Sequence, residues 1–348
     1  MSLRDAIQTA ADGREVPGAL LEAAFGEIMD GKASPVLLAA LLVALRTKGE
    51  TEGEIVAAAR ALRARAVQIP GVDPRCVDTC GTGGDGAGSF NVSTTAAFIV
   101  AGAGVPVAKH GNRAVSGRTG SIDVLEALGV AVDLPVEASA VILARVGIAS
   151  FFARRAHPAM RHAAPVRQEL GLRTLMNCLG PLSNPLGVRF QVVGVYSEAL
   201  VTPLAGALGR LGAERALVVH GSDGLDELTI NGRTHAALWT GTQVERRVID
   251  AAEYGLPPAL PGALRGGDPA RAAEILLAVL DGEGGARRDI SVLNAAAALW
   301  IAGAADDLRD GLALARESLD SGAAREKLDG LRSASRAMLE ASHAGAGR

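Results

Sequence analysis

Short β-rich runs alternate with helical segments along most of the chain, and this alternation restricts the fold more than any other feature. In the helical segments, apolar residues recur three or four positions apart, whereas the β-rich runs are rich in Val, Ile and Phe. Strand–helix alternation favours a mostly parallel sheet with helices on its faces, so we predict an α/β fold. The predicted strands are 76–79, 105–109, 130–132, 148–152, 190–196 and 216–220, and the helices between them include 94–103, 122–128, 137–146 and 198–211.

The first 66 residues lack this alternation and are predicted to be all-helical. Ser34-Pro35 has the form of an N-cap followed by proline, and Thr51 with Glu54 has the form of a capping box. Residues 157–187 interrupt the alternation with a helical stretch and a turn rich in Pro, Gly and Asn, and we expect them to return to the helical part. The predicted division is a small all-helical domain, 1–68, joined by about 157–187, and a large α/β domain of 69–156 and 188–348.

Composition and charge exclude several classes of protein. Apolar residues make up 49% of the 348 residues, too many for a chain that is mainly disordered. A net charge of −3 and an aromatic content of 3% argue against nucleic-acid binding, which needs cations and stacking side chains. The N-terminal sequence lacks a signal-peptide pattern, and the longest apolar runs, 96–108 and 293–305, are too short for a membrane helix. Three cysteines fit neither a disulfide framework nor a zinc site, so we expect free thiols in a cytoplasmic protein.

The sequence GTGGDG at 81–86 follows a predicted strand and precedes a predicted helix that starts near Asn91. Glycines let backbone N–H groups turn toward a ligand, and a helix N-terminus adds aligned donors and a positive dipole end. The loop fits neither the dinucleotide-binding fingerprint nor the phosphate-binding P-loop pattern. It therefore predicts an anion site, with an ordinary glycine-rich turn capped by Ser93 or Thr94 as the alternative.

A second loop, KHGNRAVSGRTGS at 109–121, also lies between a predicted strand and a predicted helix. Both loops should therefore open at the carboxyl edge of the sheet, where ligands of such folds bind. The cations, imidazole and hydroxyls of the loop 109–121 suit a highly phosphorylated ligand. They belong to Lys109, His110, Arg113, Ser116, Arg118, Thr119 and Ser121. The alternative is a basic, solvated surface loop.

Two further positions carry weaker local signals. The adjacent carboxylates Asp226 and Glu227 follow a predicted strand and suit Mg²⁺, although an exposed acidic turn would have the same sequence. Arg167 follows a proline within the helical interruption, where its guanidinium could face a carboxylate ligand or lie at the surface of a helix. His157 and His162 lack the spacing of metal ligands and are interpreted as packing or surface residues.

Taken together, these motifs resemble those of the anthranilate phosphoribosyltransferase family, which has the class III fold shared by nucleoside phosphorylases and phosphoribosyltransferases. The resemblance covers roughly residues 3–340 and includes the blocks 81–86, 91–94, 109–121, 161–168, 177–185 and 226–227. It implies transfer of the phosphoribosyl group of phosphoribosyl pyrophosphate (PRPP) to the amine of anthranilate, with release of pyrophosphate, in the second step of tryptophan biosynthesis from chorismate. It also implies Mg²⁺ and a homodimer, which we expect to form through the helical domain.

The resemblance implies roles for individual residues. Ser93, Asp226 and Glu227 correspond to Mg²⁺ ligands of the family, with two ions per subunit. Gly81, Asn112 and Arg167 correspond to its anthranilate contacts. The positions that resemble PRPP contacts are Gly81, Gly84, Asp85, Ser89, Asn91, Val92, Ser93, Thr94, Lys109, His110, Gly111, Asn112, Arg113, Ala114, Val115, Ser116, Gly117 and Ser121.

The expected chemistry is stabilisation of charge rather than strong acid–base catalysis. Lys109 and Arg113, together with Mg²⁺ and loop N–H groups, would stabilise the departing pyrophosphate. The aryl amine is neutral, so its positioning should matter more than a general base, for which His110 is kept as a candidate. Ser89 stands where Thr is commoner, and Gly117-Arg118 where Ser-Lys is common, which leaves the fine geometry open.

Two other functions remain open at this stage. A pyrimidine nucleoside phosphorylase of the same fold is similar at Ser116-Gly117-Arg118, although Lys109–Arg113 and Asp226-Glu227 favour the PRPP enzyme. The other is a non-catalytic relative that binds nucleic acid, which the charge and the aromatic content disfavour.

Overall fold

The computed structural model describes residues 3–67, 69, 75–114 and 118–346. Val115, Ser116 and Gly117, which belong to the loop 109–121 and were predicted to contact PRPP, lie outside the described residues. No helix of the described part is long and apolar enough to cross a membrane.

The chain begins with four helices that pack on one another. They are α1 (Leu3–Ala11), α2 (Gly18–Met29), α3 (Pro35–Lys48) and α4 (Glu52–Arg63). Ser34 caps α3 by accepting a hydrogen bond from the Leu37 N–H, and Thr51 and Glu54 form the predicted capping box of α4. The predicted all-helical start is therefore confirmed, and α1 is an additional helix.

In the described part of the chain, seven strands form one sheet in the order β3-β2-β1-β4-β5-β6-β7. The first five run parallel, as predicted, so the α/β fold class is confirmed. The last two pair antiparallel along one edge of the sheet. The strands are β1 (Val77–Asp78), β2 (Val107–Gly111), β3 (Ile148–Phe152), β4 (Phe190–Gly194), β5 (Arg215–Gly221), β6 (Arg233–Trp239) and β7 (Val244–Asp250).

The strand predicted at 130–132 is wrong, and β6 and β7 were not predicted. The Val130 N–H donates to Leu125 O at the end of a helix, and the Ala131 N–H donates to the Ser335 hydroxyl at 3.0 Å. These backbone groups are thus engaged by helices rather than by a neighbouring strand. In β7, the adjacent charged residues Arg246 and Arg247 point to opposite faces of the sheet. This strand therefore lacks the alternation of apolar and polar residues that predicts a strand.

Helices cover both faces of the sheet, and side chains alternate between two cores. Leu217 and Val219 of β5 face one core, whereas Val218 between them faces the other, which is continuous with the N-terminal helices. The remaining helices are α5 (Val92–Gly102), α6 (Ser121–Ala127), α7 (Val136–Val146), α8 (Ala153–Ala156), α9 (Ala164–Leu170), α10 (Leu175–Cys178), α11 (Val201–Arg210), α12 (Pro269–Leu280), α13 (Ala286–Ile301), α14 (Leu308–Asp320) and α15 (Ala323–Ala346).

Residues 153–183 leave the end of β3 and pack against the N-terminal helices. Helices α9 and α10 lie against α3, and the 3-10 turn Pro158–His162 lies against α2. The Arg63 guanidinium of α4 donates to Leu182 O at 2.5 Å and to Leu211 O at 2.7 Å. This returning segment therefore connects the helical part of the chain to the carboxyl edge of the sheet.

Candidate active site

The loops predicted to bind a ligand meet at one edge of the sheet. Strands β2, β1, β4 and β5 are consecutive and parallel, so the loops after β1, β2 and β5 open at the same carboxyl edge. This edge is where open α/β sheets bind their ligands. The glycine-rich loop 81–86, the described parts 112–114 and 118–120 of the loop after β2, and the acidic pair Asp226–Glu227 are thereby brought together.

Backbone conformation explains the glycines of the first loop. Gly83 and Gly84 have φ of +64° and +80°, values that side chains with a Cβ rarely adopt. The Thr82 N–H donates to Gly194 O at 2.8 Å, which anchors the loop to the end of β4. Helix α5 then begins directly after Asn91, so its first N–H groups point into the same site.

Asp226 and Glu227 lie under this loop and at the start of α5. The Gly83 N–H donates to Asp226 Oδ2 at 2.8 Å, and the Ser93 N–H donates to Glu227 Oε1 at 3.1 Å. Burial raises the pKa of both carboxyls. The nearby Asp85 raises that of Asp226 further, and Asp226 and Asp85 raise that of Glu227 further. Buried carboxylates that repel one another are suited to a divalent cation, and the Ser93 hydroxyl lies close by.

Lys109 brings a cation into the same region. Its side chain is buried, and its Nζ lies 3.2 Å from Thr79 O, 3.3 Å from Thr79 Oγ1 and 3.4 Å from Ser93 Oγ. Its charge lowers the pKa of Glu227 and so partly opposes the effect of burial. An ammonium held among neutral oxygens beside a helix N-terminus can attract a phosphate oxygen.

The loop after β2 is held by close packing at Gly111 and by ion pairs of Arg113. Gly111 packs so closely that a Cβ there would lie 2.2 Å from Ser121 Oγ. Asn112 and Arg113 are exposed, and the Arg113 guanidinium donates to Asp123 at 3.0 Å and to Glu126 at 2.8 Å. Of the two predicted charge-stabilising cations, Lys109 therefore lies among the site residues, whereas Arg113 is paired with carboxylates at the rim.

Other residues that are predicted to contact PRPP lie around the two loops. Asn91 Nδ2 donates to Thr119 O at 3.3 Å and so connects the loops. Val92 and Thr94 have buried side chains, and the Val92 N–H donates to Phe90 O at 2.8 Å. Ser89 pairs with Arg265 in an isolated bridge farther along the first loop.

A pair of histidines lies beside the donor loops. His110 and His157 are both buried, with ring centroids 5.1 Å apart and planes inclined at 72°. His110 Nδ1 lies 2.9 Å from Gly180 O, an acceptor, so Nδ1 carries the proton and Nε2 has a free lone pair. Burial lowers the pKa of His110 to about 4 and that of His157 to about 3, so both rings are neutral at pH 7.

Arg167 lies on α9 in the returning segment, and its side chain is half-buried. Burial lowers the pKa of its guanidinium, and no carboxylate of the described residues lies within ion-pair distance of it. The surface alternative therefore does not describe this residue. A half-buried guanidinium without a protein carboxylate is suited to a carboxylate ligand.

Comparison with known proteins matches two family models to the chain. The model described as the glycosyl transferase family helical bundle domain covers residues 4–66, and the a/b domain model of the same family covers residues 73–325. The anthranilate phosphoribosyltransferase of Azorhizobium caulinodans is 52% identical over 315 residues, which are 90% of this chain and 91% of the relative. That of Rhodospirillum rubrum is 51% identical over 94% of both chains. This chain belongs to the anthranilate phosphoribosyltransferase family.

Solved structures of the family have the same fold. The anthranilate phosphoribosyltransferase of Thermus thermophilus superposes with a TM-score of 0.90 at 44% identity, covering 95% of this chain and 99% of that chain. The Saccharomyces cerevisiae enzyme, in complex with PRPP and Mg, superposes with a TM-score of 0.87 at 25% identity, covering 96% and 98%. The resemblance inferred from the sequence motifs is thus confirmed.

Several residues that build this family site were not singled out by sequence. Asp78, at the end of β1, is fully buried, accepts the His110 N–H at 3.2 Å, and accepts Asn184 Nδ2 at 2.9 Å. Burial raises the pKa of Asp78 to about 6. The interpretation of His157 as a packing residue is confirmed, since its buried ring packs against that of His110. A single acid at a strand end forms no pattern, so the sequence carries no signal that identifies Asp78.

Proposed function

We propose that this chain transfers the phosphoribosyl group of PRPP to the amine of anthranilate, releasing pyrophosphate, as a step of tryptophan biosynthesis. The observation that carries the proposal is the grouping of the Lys109 ammonium, the Ser93 hydroxyl and the buried pair Asp226–Glu227 at the N-terminus of α5. Such a grouping suits a phosphorylated donor that binds together with a divalent cation.

The donor is assigned to the two loops. The glycine-rich backbone of 81–86 and the positive end of the α5 dipole attract the phosphate groups, and Lys109 supplies a positive charge where the leaving pyrophosphate develops negative charge. Gly84, Asp85, Asn91 and Ser121 complete the lining.

Mg²⁺ is assigned to Ser93, Asp226 and Glu227, with two ions per subunit. The raised pKa of both carboxyls supports this, because a cation relieves their mutual repulsion. When bound, Mg²⁺ neutralises charge on the pyrophosphate oxygens. The protein's part is to hold the two carboxylates in place, which the Gly83 and Ser93 N–H groups do by donating to Asp226 and Glu227.

The acceptor is assigned to Arg167, Asn112 and the Gly81 backbone. The guanidinium holds the anthranilate carboxylate, which aims the amine at the anomeric carbon of the donor. His110 Nε2 is buried with a lone pair and no partner in the described part of the chain, so His110 is kept as the candidate base. Because an aryl amine is already neutral, positioning contributes more than proton removal.

A continuous assay tests the reaction. Anthranilate fluorescence should fall when PRPP and Mg²⁺ are both present and stay constant when either is omitted. Phosphorolysis of uridine with inorganic phosphate, without loss of anthranilate fluorescence, would instead favour the nucleoside phosphorylase. A salt-dependent shift of DNA in a gel would favour the nucleic-acid-binding alternative. The cytoplasmic location stays a prediction.

We also propose that 1–68 and about 157–187 form one domain, and 69–156 with 188–348 the other. The packing of α9 and α10 against α3 supports this division. The chain should form a homodimer through the helical domain, because Val36 and Val43, seven residues apart on one face of α3, are 76% and 38% exposed.

The double variant Val36→Arg/Val43→Arg should be monomeric by sedimentation at micromolar concentration, where the unaltered chain is dimeric. Val248→Arg, at another exposed valine, on the edge strand β7, is the matched control and should leave the dimer intact. A monomeric unaltered chain would contradict the proposed dimer.

A further inference from the structure

The loop after β2 is closed at its base by one carboxylate. Asp123, in the first turn of α6, accepts hydrogen bonds at Oδ2 from the Ala114 N–H and the Gly120 N–H, both at 2.9 Å. Its Oδ1 accepts a hydrogen bond from Arg113 Nη1 at 3.0 Å. Ala114 and Gly120 lie on opposite arms of the loop, so a single side chain holds the two arms together.

The arms are packed tightly at this base. A Cβ at Gly120 would lie 2.5 Å from both Ala114 N and Asn112 O, although the φ of Gly120, −86°, is open to any residue. The Ile122 N–H also donates to Asn112 O, at 3.3 Å. The Asp123 side chain is only 15% exposed, so loss of its carboxylate would leave two shielded N–H groups without an acceptor.

The charge of Asp123 is balanced locally. Burial alone would raise the pKa of its carboxyl, but the hydrogen bonds from Ala114, Gly120 and Arg113 outweigh burial and lower it. The carboxylate is therefore ionised at neutral pH. Arg113 pairs with both Asp123 and Glu126, which offsets the repulsion that an unpaired carboxylate would exert on a phosphorylated ligand nearby.

We propose that Asp123 is a positioning residue for the phosphoribosyl donor. It sets the distance between the two arms of the loop and thereby places Asn112 and Ser121, without touching the donor itself. This inference rests on the donor site proposed above. It also gives Arg113 a role at the base of the loop, as the partner that keeps the Asp123 charge balanced.

Two substitutions at Asp123 separate its contributions. Both backbone hydrogen bonds end on the same oxygen, so Asp123→Asn can keep them through its amide oxygen and loses only the bond to Arg113. Asp123→Ala loses all three. We expect Asp123→Ala to raise the PRPP KM about 30-fold and Asp123→Asn about 3-fold. The anthranilate KM should also rise in Asp123→Ala, but by no more than about 3-fold, because Asn112 is assigned to both substrates and Ser121 to the donor alone.

Two controls remove the alternative of general destabilisation. Glu126→Gln weakens the pairing of Arg113 but leaves the loop base intact, so the PRPP KM should change less than about 2-fold. Asp307→Ala removes the N-cap of α14, a helix that carries none of the proposed site residues. It should lower the thermal midpoint as Asp123→Ala does, but leave both Michaelis constants unchanged.

Lys109→Ala distinguishes failure of this inference from failure of the donor site. If Lys109→Ala weakens PRPP and Asp123→Ala does not, Asp123 has no positioning role. If neither variant weakens PRPP, the donor site itself is misplaced and the inference falls with it. Should Asp123→Ala fail to fold, Gly120→Ala decides, because its Cβ spreads the same arms with Asp123 intact. An unchanged PRPP KM in a folded Gly120→Ala variant would overturn the proposal.

Discussion

The two sides of the candidate site are built on opposite electrostatic plans. On the donor side, formed by 81–94, Lys109 and Asp226–Glu227, backbone N–H groups and an ammonium surround carboxylates whose pKa values are raised. On the proposed acceptor side, the half-buried Arg167 guanidinium has no carboxylate of the described residues within ion-pair distance, and burial keeps the neighbouring pair His110 and His157, beside the donor loops, neutral.

This difference shows how each side can recognise its ligand. A divalent cation stabilises the ionised form of carboxyls whose pKa values are raised, so the donor side favours a ligand that brings a metal and phosphates. The guanidinium of the acceptor side suits the carboxylate of a planar aromatic acid. In the proposed arrangement, charge is concentrated where the leaving group departs and is sparse where the amine attacks.

The largest expected effect is on the donor side. The double variant Asp226→Asn/Glu227→Gln should lower kcat by about 10³-fold or more, because metal binding contributes several kcal/mol to stabilising the departing charge. Its thermal midpoint without Mg²⁺ should not fall, since the amide oxygens can still accept the Gly83 and Ser93 N–H groups and the repulsion is gone. Turnover that persists in this variant at low Mg²⁺ would contradict the assignment.

On the acceptor side, Arg167→Ala should raise the anthranilate KM strongly and leave the PRPP KM nearly unchanged. The expected loss is about 1.5–3 kcal/mol, the usual contribution of a hydrogen bond to a charged group. Arg167→Lys should recover only part, because a point charge cannot form the two-pronged contact. Steady-state kinetics with each substrate varied in turn measures both constants.

Asn112→Ala is the matched comparison for Arg167. Asn112 lies in the loop after β2 and is assigned to both substrates, so both Michaelis constants should move. If Arg167→Ala weakened PRPP alone, the two substrates would be on opposite sides from those proposed.

The smallest expected effect is a dependence of the free energy of unfolding on pH, which arises from the buried His157. The pKa of His157 is about 3 in the folded chain and near 6.5 when unfolded, so the unfolded state binds a proton first as pH falls. The stabilisation is complete above pH 6.5 and is lost toward pH 3. Between pH 7 and pH 5, the free energy of unfolding should fall by about 2 kcal/mol through this one group.

Urea unfolding at several pH values measures this contribution. His157→Gln should lose less stability than the unaltered chain between pH 7 and pH 5, and the surface variant His162→Gln is the control. Parallel curves for His157→Gln and the unaltered chain would mean that His157 is not held neutral by burial.

The donor side was open to prediction from sequence because its signals are local. Glycines at 81–86 are needed where the backbone takes positive φ, and the loop residues are contiguous with the strands and helices that position them. The carboxyl ends of neighbouring parallel strands then bring the loops together without further information. Within this edge, Asp78 went unnoticed because a single acid in a strand has no pattern.

The acceptor side shows the limit of such reasoning. Arg167 has the local sequence of a surface helix, and only the packing of α9 against α3 makes it half-buried. His157 is 47 residues from His110, and their contact depends on how the returning segment crosses the end of the sheet. The family resemblance anticipated Arg167, but the residue's own surroundings in the sequence did not.

The α/β fold, the helical start and the two loops at the sheet edge could be predicted from sequence, because periodicity, capping and glycine placement act over a few residues. Only the folded chain shows which carboxylates are buried together, that Arg113 is paired with carboxylates whereas Arg167 is not paired with any of the described residues, and how Asp123 closes the loop that follows β2. Burial and charge pairing depend on segments far apart in the chain, so they exist only once the chain has folded.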